Sequence, residues 1–254
     1  MKKTCRWDNL TSPEIAKLAE NNAIVLIPTG STEQHGPHLP VGTDAILATW
    51  MAERTAQTLT EKGIPAVVAP TFAIANSMHH MNFAGSLSLS PRTYIQVLQE
   101  QCRAIAAHGF KRIAIINGHG GNTAPTKTAL MDINLELGFP VYFMSYISVD
   151  ERPFLETQTG MIHACESETS MMLAYDETLV DPIYKETSGY AGGCTRHEDE
   201  GVLHTFHRME SHTVNGVMGN SYAATKEKGE ILADVNTKKL VEILSDDAIW
   251  QMKV

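Results

Sequence analysis

Short apolar runs alternate with longer segments of mixed polarity through the first two thirds of the chain. Continuous runs rich in β-branched or aromatic residues, which are typical of parallel strands covered on both faces, occupy positions 23–28, 66–70, 112–116 and 141–146. The longer segments at 44–62, 91–108 and 123–138 are predicted helices, and a glycine stands at or just after the end of each, where helices commonly stop. This order predicts an α/β fold, a three-layer α/β/α sandwich with a mostly parallel central sheet.

Composition narrows the class of protein. The 254 residues, 43% of them hydrophobic, suffice for a substantial core, and no linker divides them, so we expect a single domain over 1–254. A net charge of −9 disfavours a nucleic-acid partner, and no apolar run reaches membrane-spanning length. The four cysteines are scattered, which is typical of reduced thiols and predicts a cytoplasmic protein.

The most informative polar stretch follows the first predicted strand. Glu33 and His35 are two positions apart, so in extended backbone their side chains lie on the same side. Glycine and proline residues then force a loop that can bring Asp44 back toward them. Carboxylate and imidazole groups that converge in this way are typical ligands of zinc or manganese.

Two further clusters of potential ligands follow. His119 lies in a glycine-rich turn after the third predicted strand, and His163, Glu166 and Glu168 lie close together beyond the fourth. Because ligands bind beyond the carboxyl ends of the strands in open α/β sheets, these distant segments are predicted to meet at one edge. The number of donors is sufficient for two metal ions.

Together, the segments 33–44, 117–122 and 163–170 resemble the creatininase (creatinine amidohydrolase) family, and weaker similarity extends over nearly the whole chain. The resemblance implies two divalent cations, zinc or manganese with iron as a third option, and hydrolysis of a non-peptide, often cyclic, C–N amide bond of a small molecule by a metal-bridging hydroxide. It also implies a homo-oligomer, a hexamer. The family includes formylamide hydrolases and a peptide-trimming enzyme, so its name does not fix the substrate.

The resemblance also implies roles for individual residues. Asp44 corresponds to the carboxylate that bridges the cations, one of which takes Glu33 and His119 while the other takes His35. His163 matches the family's catalytic histidine and is the candidate for proton transfer to the leaving nitrogen.

This chain departs from creatininase at position 121, where a ligating glutamate is replaced by Gly121. The second cation then needs another carboxylate. If a helix includes both His163 and Glu166, the two residues share one face, so Glu166 is the expected metal ligand. Glu168 is the second choice, with a structural role or a hydrogen bond to a ligand as its alternative.

Other interpretations remain open at this stage. A deformylase of a nucleotide-like formylamide would need a basic pocket, and Gly121 leaves room for a metal-binding protein without catalysis. A Cys165 nucleophile is a weaker alternative. The aromatic residues that surround the substrate in creatininases have no clear counterpart, so creatinine is not the expected substrate. The histidine-rich segment 186–212 is predicted to be a mobile cover or a subunit contact, and no metal ligand is expected there.

Overall fold

A four-stranded parallel sheet forms the centre of the computed structural model, which describes residues 4–189, 203 and 205–254. The strands lie in the order β2-β1-β3-β4. Their bounds are β1 Ile24–Thr29, β2 Ala66–Val68, β3 Arg112–Asn117 and β4 Val141–Ser145. The four strands predicted from the apolar runs are therefore confirmed, each within about two residues at either end.

Helices cover both faces of this sheet. One face packs against α1 Ser12–Glu20, α3 Pro91–Ala107 and α4 Thr123–Leu137. The other packs against α2 Thr43–Glu61, α5 Glu166–Asp176 and α6 Lys226–Leu244. The other described strands and α-helix are a short antiparallel pair, β5 Ser188–Gly189 and β6 Gly219–Asn220, and the final helix α7 Asp247–Trp250. The predicted three-layer α/β/α sandwich is confirmed, and no helix among the described residues combines the length and apolarity that a membrane span requires.

Strand β1 shows why uninterrupted apolar runs build this sheet. Ile24 and Leu26 point into the core beneath α2, whereas Val25 and Ile27 point into the core beneath α3. All four side chains are fully buried, and each contributes about 1.5–3 kcal/mol relative to an exposed position. A strand between two helical layers has no solvent face, so no alternation of polar residues is needed.

The carboxyl end of β1 is held against its neighbours by specific contacts. A Cβ atom at Gly30 would lie 2.4 Å from the backbone nitrogen of Ala45, so only glycine allows this close approach to the first turn of α2. The Asn122 side chain donates a hydrogen bond to the Gly30 carbonyl at 3.0 Å. The ends of β1 and β3 and the start of α2 are thereby brought to one point, which is where the polar cluster lies.

Candidate metal centre

Five of the predicted site residues meet in one buried cluster at the carboxyl edge of the sheet. Their chain segments are the loop after β1, the first turn of α2, the turn after β3 and the segment just before α5. None is more than 7% exposed. The residues are Glu33, His35, Asp44, His119 and His163.

One group of ligand atoms surrounds His119. Its Nδ1 atom lies 3.0 Å from Oδ2 of Asp44 and 3.3 Å from Oε1 of Glu33. Both carboxylates are almost fully buried. This group consists of the three residues that the family resemblance assigns to the first cation, including the expected bridge.

A second group lies on the other side of Asp44. The Nε2 atom of His35 is 3.0 Å from Oδ1 of Asp44 and 4.0 Å from Oε2 of Glu168. One ligand atom from each of these three residues lies within 4.8 Å of the other two. Asp44 therefore offers one oxygen to each group, as a bridging carboxylate would.

Glu166, the expected ligand of the second cation, lies outside this group. Its carboxylate accepts hydrogen bonds from Lys228 Nζ at 2.7 Å, from the backbone nitrogens of Glu156 and Thr157 at 3.0 and 2.9 Å, and from the Thr157 hydroxyl at 2.7 Å. Burial acts to raise the pKa of Glu166, but these partners, led by Lys228, hold it below its ordinary value. Contrary to the expectation, Glu166 therefore lies outside this group of potential ligands, and Glu168 lies within it.

The local backbone explains the correction. Helix α5 begins only at Glu166, and Ala164 has a φ of 50°, which is left-handed and interrupts any helix that would include His163. His163 and Glu166 thus do not share a helical face. Glu168, in the first turn, instead accepts a hydrogen bond from the Ala164 backbone nitrogen and faces His35.

Backbone hydrogen bonds orient the two histidines of these groups. His35 donates from Nδ1 to the Glu33 carbonyl at 3.0 Å, and His119 donates from Nε2 to the Asn76 carbonyl at 2.9 Å. In each ring the other nitrogen faces the carboxylates. This is the usual arrangement around a ligating histidine, whose second nitrogen donates to a backbone or carboxylate oxygen.

The cluster is also built to hold positive charge. Among the described residues, Oε2 of Glu33 and Oδ2 of Asp44 are buried and receive no hydrogen bond of good geometry, although Nδ1 of His119 lies 3.0 Å from Oδ2; this is costly unless another partner satisfies them. Burial acts to lower the pKa of His35, but Asp44 outweighs it and raises the pKa to about 10. The pKa of His119 is likewise raised, against its burial, by Glu33 and Asp44. Divalent cations would displace such protons, so the residues present fit a metal centre.

His163 borders the same cluster with a free face toward a cavity. Its Nε2 donates to the Gln34 carbonyl at 2.8 Å, and its Nδ1 lies 3.7 Å from Oε1 of Glu33. Burial, reinforced by the neighbouring His35, lowers the pKa of His163 to about 3. The imidazole is therefore neutral and exposes an Nδ1 lone pair.

Two residues of the site, Gln34 and His80, were not assigned a role from the sequence. The Gln34 side-chain nitrogen lies 3.0 Å from both His80 Nδ1 and the Gly216 carbonyl. His80 Nε2 is 3.2 Å from Oε1 of Glu33, so an amide donor at Nδ1 leaves Nε2 as a donor to that carboxylate. The only sequence signal was the position of 78–80 after the second strand, at the same sheet edge.

A cavity of about 260 Å³ opens onto the cluster. Its apolar wall includes Ile162, Met209 and Met218. His207 and His212, from the segment predicted to be a cover or a subunit contact, also line it, with ring centroids 5.2 Å apart. Most of that segment, 190–202 and 204, lies outside the described residues, so the prediction of mobility stays a prediction.

The thiol of Cys165 is not suited to nucleophilic attack. It is fully buried, and burial raises its pKa to about 12. A reactive cysteine needs a stabilised thiolate and access to the substrate. The interpretation of Cys165 as a nucleophile is therefore not supported.

Known proteins resemble this chain over most of its length. The family model described as creatinine amidohydrolase matches residues 8–244. The mycofactocin precursor peptide peptidase of Mycobacterium tuberculosis (strain CDC 1551 / Oshkosh) is 36% identical over 126 residues, so the chain spans about half the length of this relative, 48% of this chain and 50% of that protein. The Mycolicibacterium smegmatis peptidase of the same name is 33% identical over 82% of this chain and 78% of that protein.

The fold is shared with solved creatininase structures. A manganese form superimposes with a TM-score of 0.78 at 22% identity, covering 98% of this chain and 100% of that one. At this level of identity the likeness concerns the fold alone.

Proposed function

Because the chain belongs to the creatininase family, we propose that it is a metal-dependent amidohydrolase that cleaves a non-peptide C–N amide bond in a small molecule. The observation that carries this proposal is a pair of buried carboxylate oxygens, Oε2 of Glu33 and Oδ2 of Asp44, that receive no hydrogen bond of good geometry from the described residues, on two side chains that lie beside the His119 imidazole. Such a cluster is costly in an apolar interior unless cations occupy it.

The donor sets suggest two cations that share Asp44. One would be held by Glu33, Asp44 and His119, and the other by His35, Asp44 and Glu168. When bound, divalent cations of this kind lower the pKa of water and polarise a carbonyl oxygen. Solved creatininases include a zinc–zinc form and a manganese form, which supports zinc or manganese here.

His163 is proposed to carry the proton in this reaction. An amine leaves poorly unless it is protonated, so amide hydrolysis needs a group that takes a proton from the attacking water and delivers it to nitrogen. The neutral ring presents Nδ1 toward Glu33 and the cavity, while the hydrogen bond from Nε2 to Gln34 fixes its orientation.

His80 and Gln34 are proposed as positioning residues. The Gln34 amide holds His80 so that Nε2–H points at Oε1 of Glu33. A hydrogen bond to a ligating carboxylate fixes the orientation of that carboxylate.

The cavity supports a small substrate. Its volume of about 260 Å³ is below the range of about 300–1,000 Å³ common for sites that hold drug-sized ligands. No tryptophan, tyrosine or phenylalanine is among the described residues that line it. This agrees with the expectation that creatinine, which needs shaped walls matched to its ring, is a poor substrate.

The state of the cysteines and the family resemblance bear on the location and the assembly of the protein. We propose a cytoplasmic homo-oligomer, because three cysteines of the described residues are free thiols (Cys5, Cys102 and Cys165) and because the family resemblance implies association. Light scattering on a sizing column tests the assembly.

The test of the function combines metal analysis with a substrate panel. After metal removal and reconstitution, elemental analysis is expected to find about two zinc or manganese ions per chain, the number typical of such bridged sites. The panel contains cyclic amides, formylamides, creatinine and short peptides. No bound metal after reconstitution would refute the central proposal, and stoichiometric metal without turnover on any amide would favour a metal-binding protein.

Two substitutions separate the proposed roles within this test. Asp44→Ala is expected to lose metal because it removes the carboxylate shared by both cations. His163→Ala is expected to retain metal and to lower turnover by about 10²–10⁴, the range for loss of a proton-transfer group. Equal loss of metal in both variants would show that His163 is itself a ligand.

A further inference from the structure

The absence of a side chain at Gly121 creates space that another residue fills. A Cβ atom at this position would lie 2.9 Å from Cε1 of His79 and 2.4 Å from Nε2 of His119. The His79 ring therefore occupies the volume into which a residue at 121 would project.

The surroundings of His79 are those of a potential ligand. Its ring plane makes an angle of 16° with that of His119, and the two ring centroids are 5.7 Å apart. The centroids of the His79 and His80 rings are 4.3 Å apart. Single ligand atoms of His79, His119 and Glu33 all lie within 4.8 Å of one another. Within the described part of the chain, no hydrogen bond engages either ring nitrogen of His79.

The electrostatic surroundings are compatible with coordination. Burial lowers the pKa of His79, an effect that Glu33 opposes only in part. Burial thus favours the neutral ring, which has a lone pair to donate. Neutral imidazole is a suitable ligand for zinc and several other divalent metals.

We propose that His79 is a fourth protein ligand of the cation held by Glu33, Asp44 and His119, an inference that rests on the proposed metal-dependent function. The two donor sets then differ. One cation has four protein donors, whereas the cation at His35, Asp44 and Glu168 has three. Closed sets of four protein ligands are typical of firmly held metals, and sets of three leave a position for water or substrate.

The test measures metal affinity directly. Metal-free parent and His79→Ala are titrated with Zn²⁺ against a chelating indicator and, separately, with Co²⁺, whose visible absorption reports its ligands. His79→Ala is expected to lower one of the two affinities by at least about 10-fold, the lower limit for the loss of even an outer-shell partner. It should also change the absorption of that Co²⁺ ion. His108→Ala removes an exposed histidine outside the site and should behave like the parent.

Each result bears on the proposal separately from the proposed function. If His79→Ala binds both cations like the parent and only raises KM, His79 is a substrate contact and the inference is overturned, while the amidohydrolase proposal stands. If the parent binds two cations without turnover on the amide panel, the proposed function fails, yet the affinity loss in His79→Ala still supports the ligand. His79→Gln, with near-ultraviolet circular dichroism on both variants, separates ligand loss from misfolding.

Discussion

Two glutamates in the first turn of α5 are surrounded by opposite environments. Glu166 and Glu168 are two residues apart and both are buried. Glu166 faces Lys228 of α6, which supplies a permanent positive charge at 2.7 Å. Glu168 faces His35 and Asp44, a group whose charge depends on bound protons or cations.

The difference shows in how each carboxylate is satisfied. Glu166 has donors on both oxygens, and its pKa is held low. Burial instead raises the pKa of Glu168 to about 7, an effect that His35 only partly offsets. One carboxylate thus has donors on both oxygens and a fixed positive charge, whereas the other has a backbone donor, Ala164, and a histidine whose charge depends on bound protons. Burial of a carboxylate therefore does not by itself identify a metal ligand; the identity of its partners does.

The largest effect is expected on metal affinity, measured by titration of variants at these two positions. Glu168→Gln keeps the size of the side chain and an oxygen for the Ala164 backbone nitrogen, but removes the charge. We expect affinity for one of the two cations to fall by about 100-fold, the upper end of the range for altered metal surroundings, with turnover falling in parallel. Glu166→Gln is the matched control and should bind both cations like the parent. The reverse pattern would show that Glu166 is the ligand after all.

A smaller effect is expected on folding stability. Glu166→Gln weakens a charge-assisted contact with Lys228 while Glu156 remains 2.7 Å from the same ammonium group. We expect a loss of about 2 kcal/mol in the free energy of unfolding, as for hydrogen bonds to charged groups, measured by urea denaturation of the metal-free protein. Glu100→Gln, which removes the same charge from an exposed position, should cost almost nothing. A Glu166→Gln variant as stable as the parent would contradict this account.

The smallest expected effect is a difference in how folding stability depends on pH, again measured on the metal-free protein. The pKa of Glu166 is lowered from 4.5, so the ionised side chain stabilises the fold above that pH and this contribution is lost as the pH falls. The difference in the free energy of unfolding between the parent and Glu166→Gln should therefore shrink in acid. Because the pKa of Glu168 is raised from 4.5 to about 7, the parent loses stability as the pH rises through this interval. The free energy of unfolding of Glu168→Gln should therefore rise relative to that of the parent between about pH 5 and pH 8. Parallel stability curves for the parent and both variants would contradict the two assignments.

The sheet and most of the cluster could be predicted from sequence for a physical reason. Strands buried on both faces require apolar residues at every position, so 24–29 and 112–117 are visible as continuous runs. Polar residues directly after such strands must lie at the carboxyl edge of a parallel sheet. Glu33 and His35 follow the first of these strands and His119 follows the other, and the three residues meet in the structure.

The choice between Glu166 and Glu168 depends on features that the local sequence does not carry. It is decided by the left-handed Ala164, a conformation uncommon for a residue with a side chain, and by Lys228, 62 positions from Glu166. The roles of Gln34 and His80 depend likewise on hydrogen bonds between segments that are distant in the chain. Periodicity and spacing indicate the face of a helix or strand on which a residue lies. They do not indicate whether another residue already satisfies the hydrogen-bonding groups or the charge of its side chain.

The tight surroundings of Gly121 limit the order in which substitutions can accumulate in this site. A Cβ atom there would lie 2.4 Å from the Asn76 carbonyl, and that carbonyl also accepts the hydrogen bond that orients His119. A change to glutamate at this position alone would therefore push against the carbonyl that orients His119. A side chain at 121 requires the 76–79 segment to move, so the residue tolerated here depends on the conformation of a separate loop.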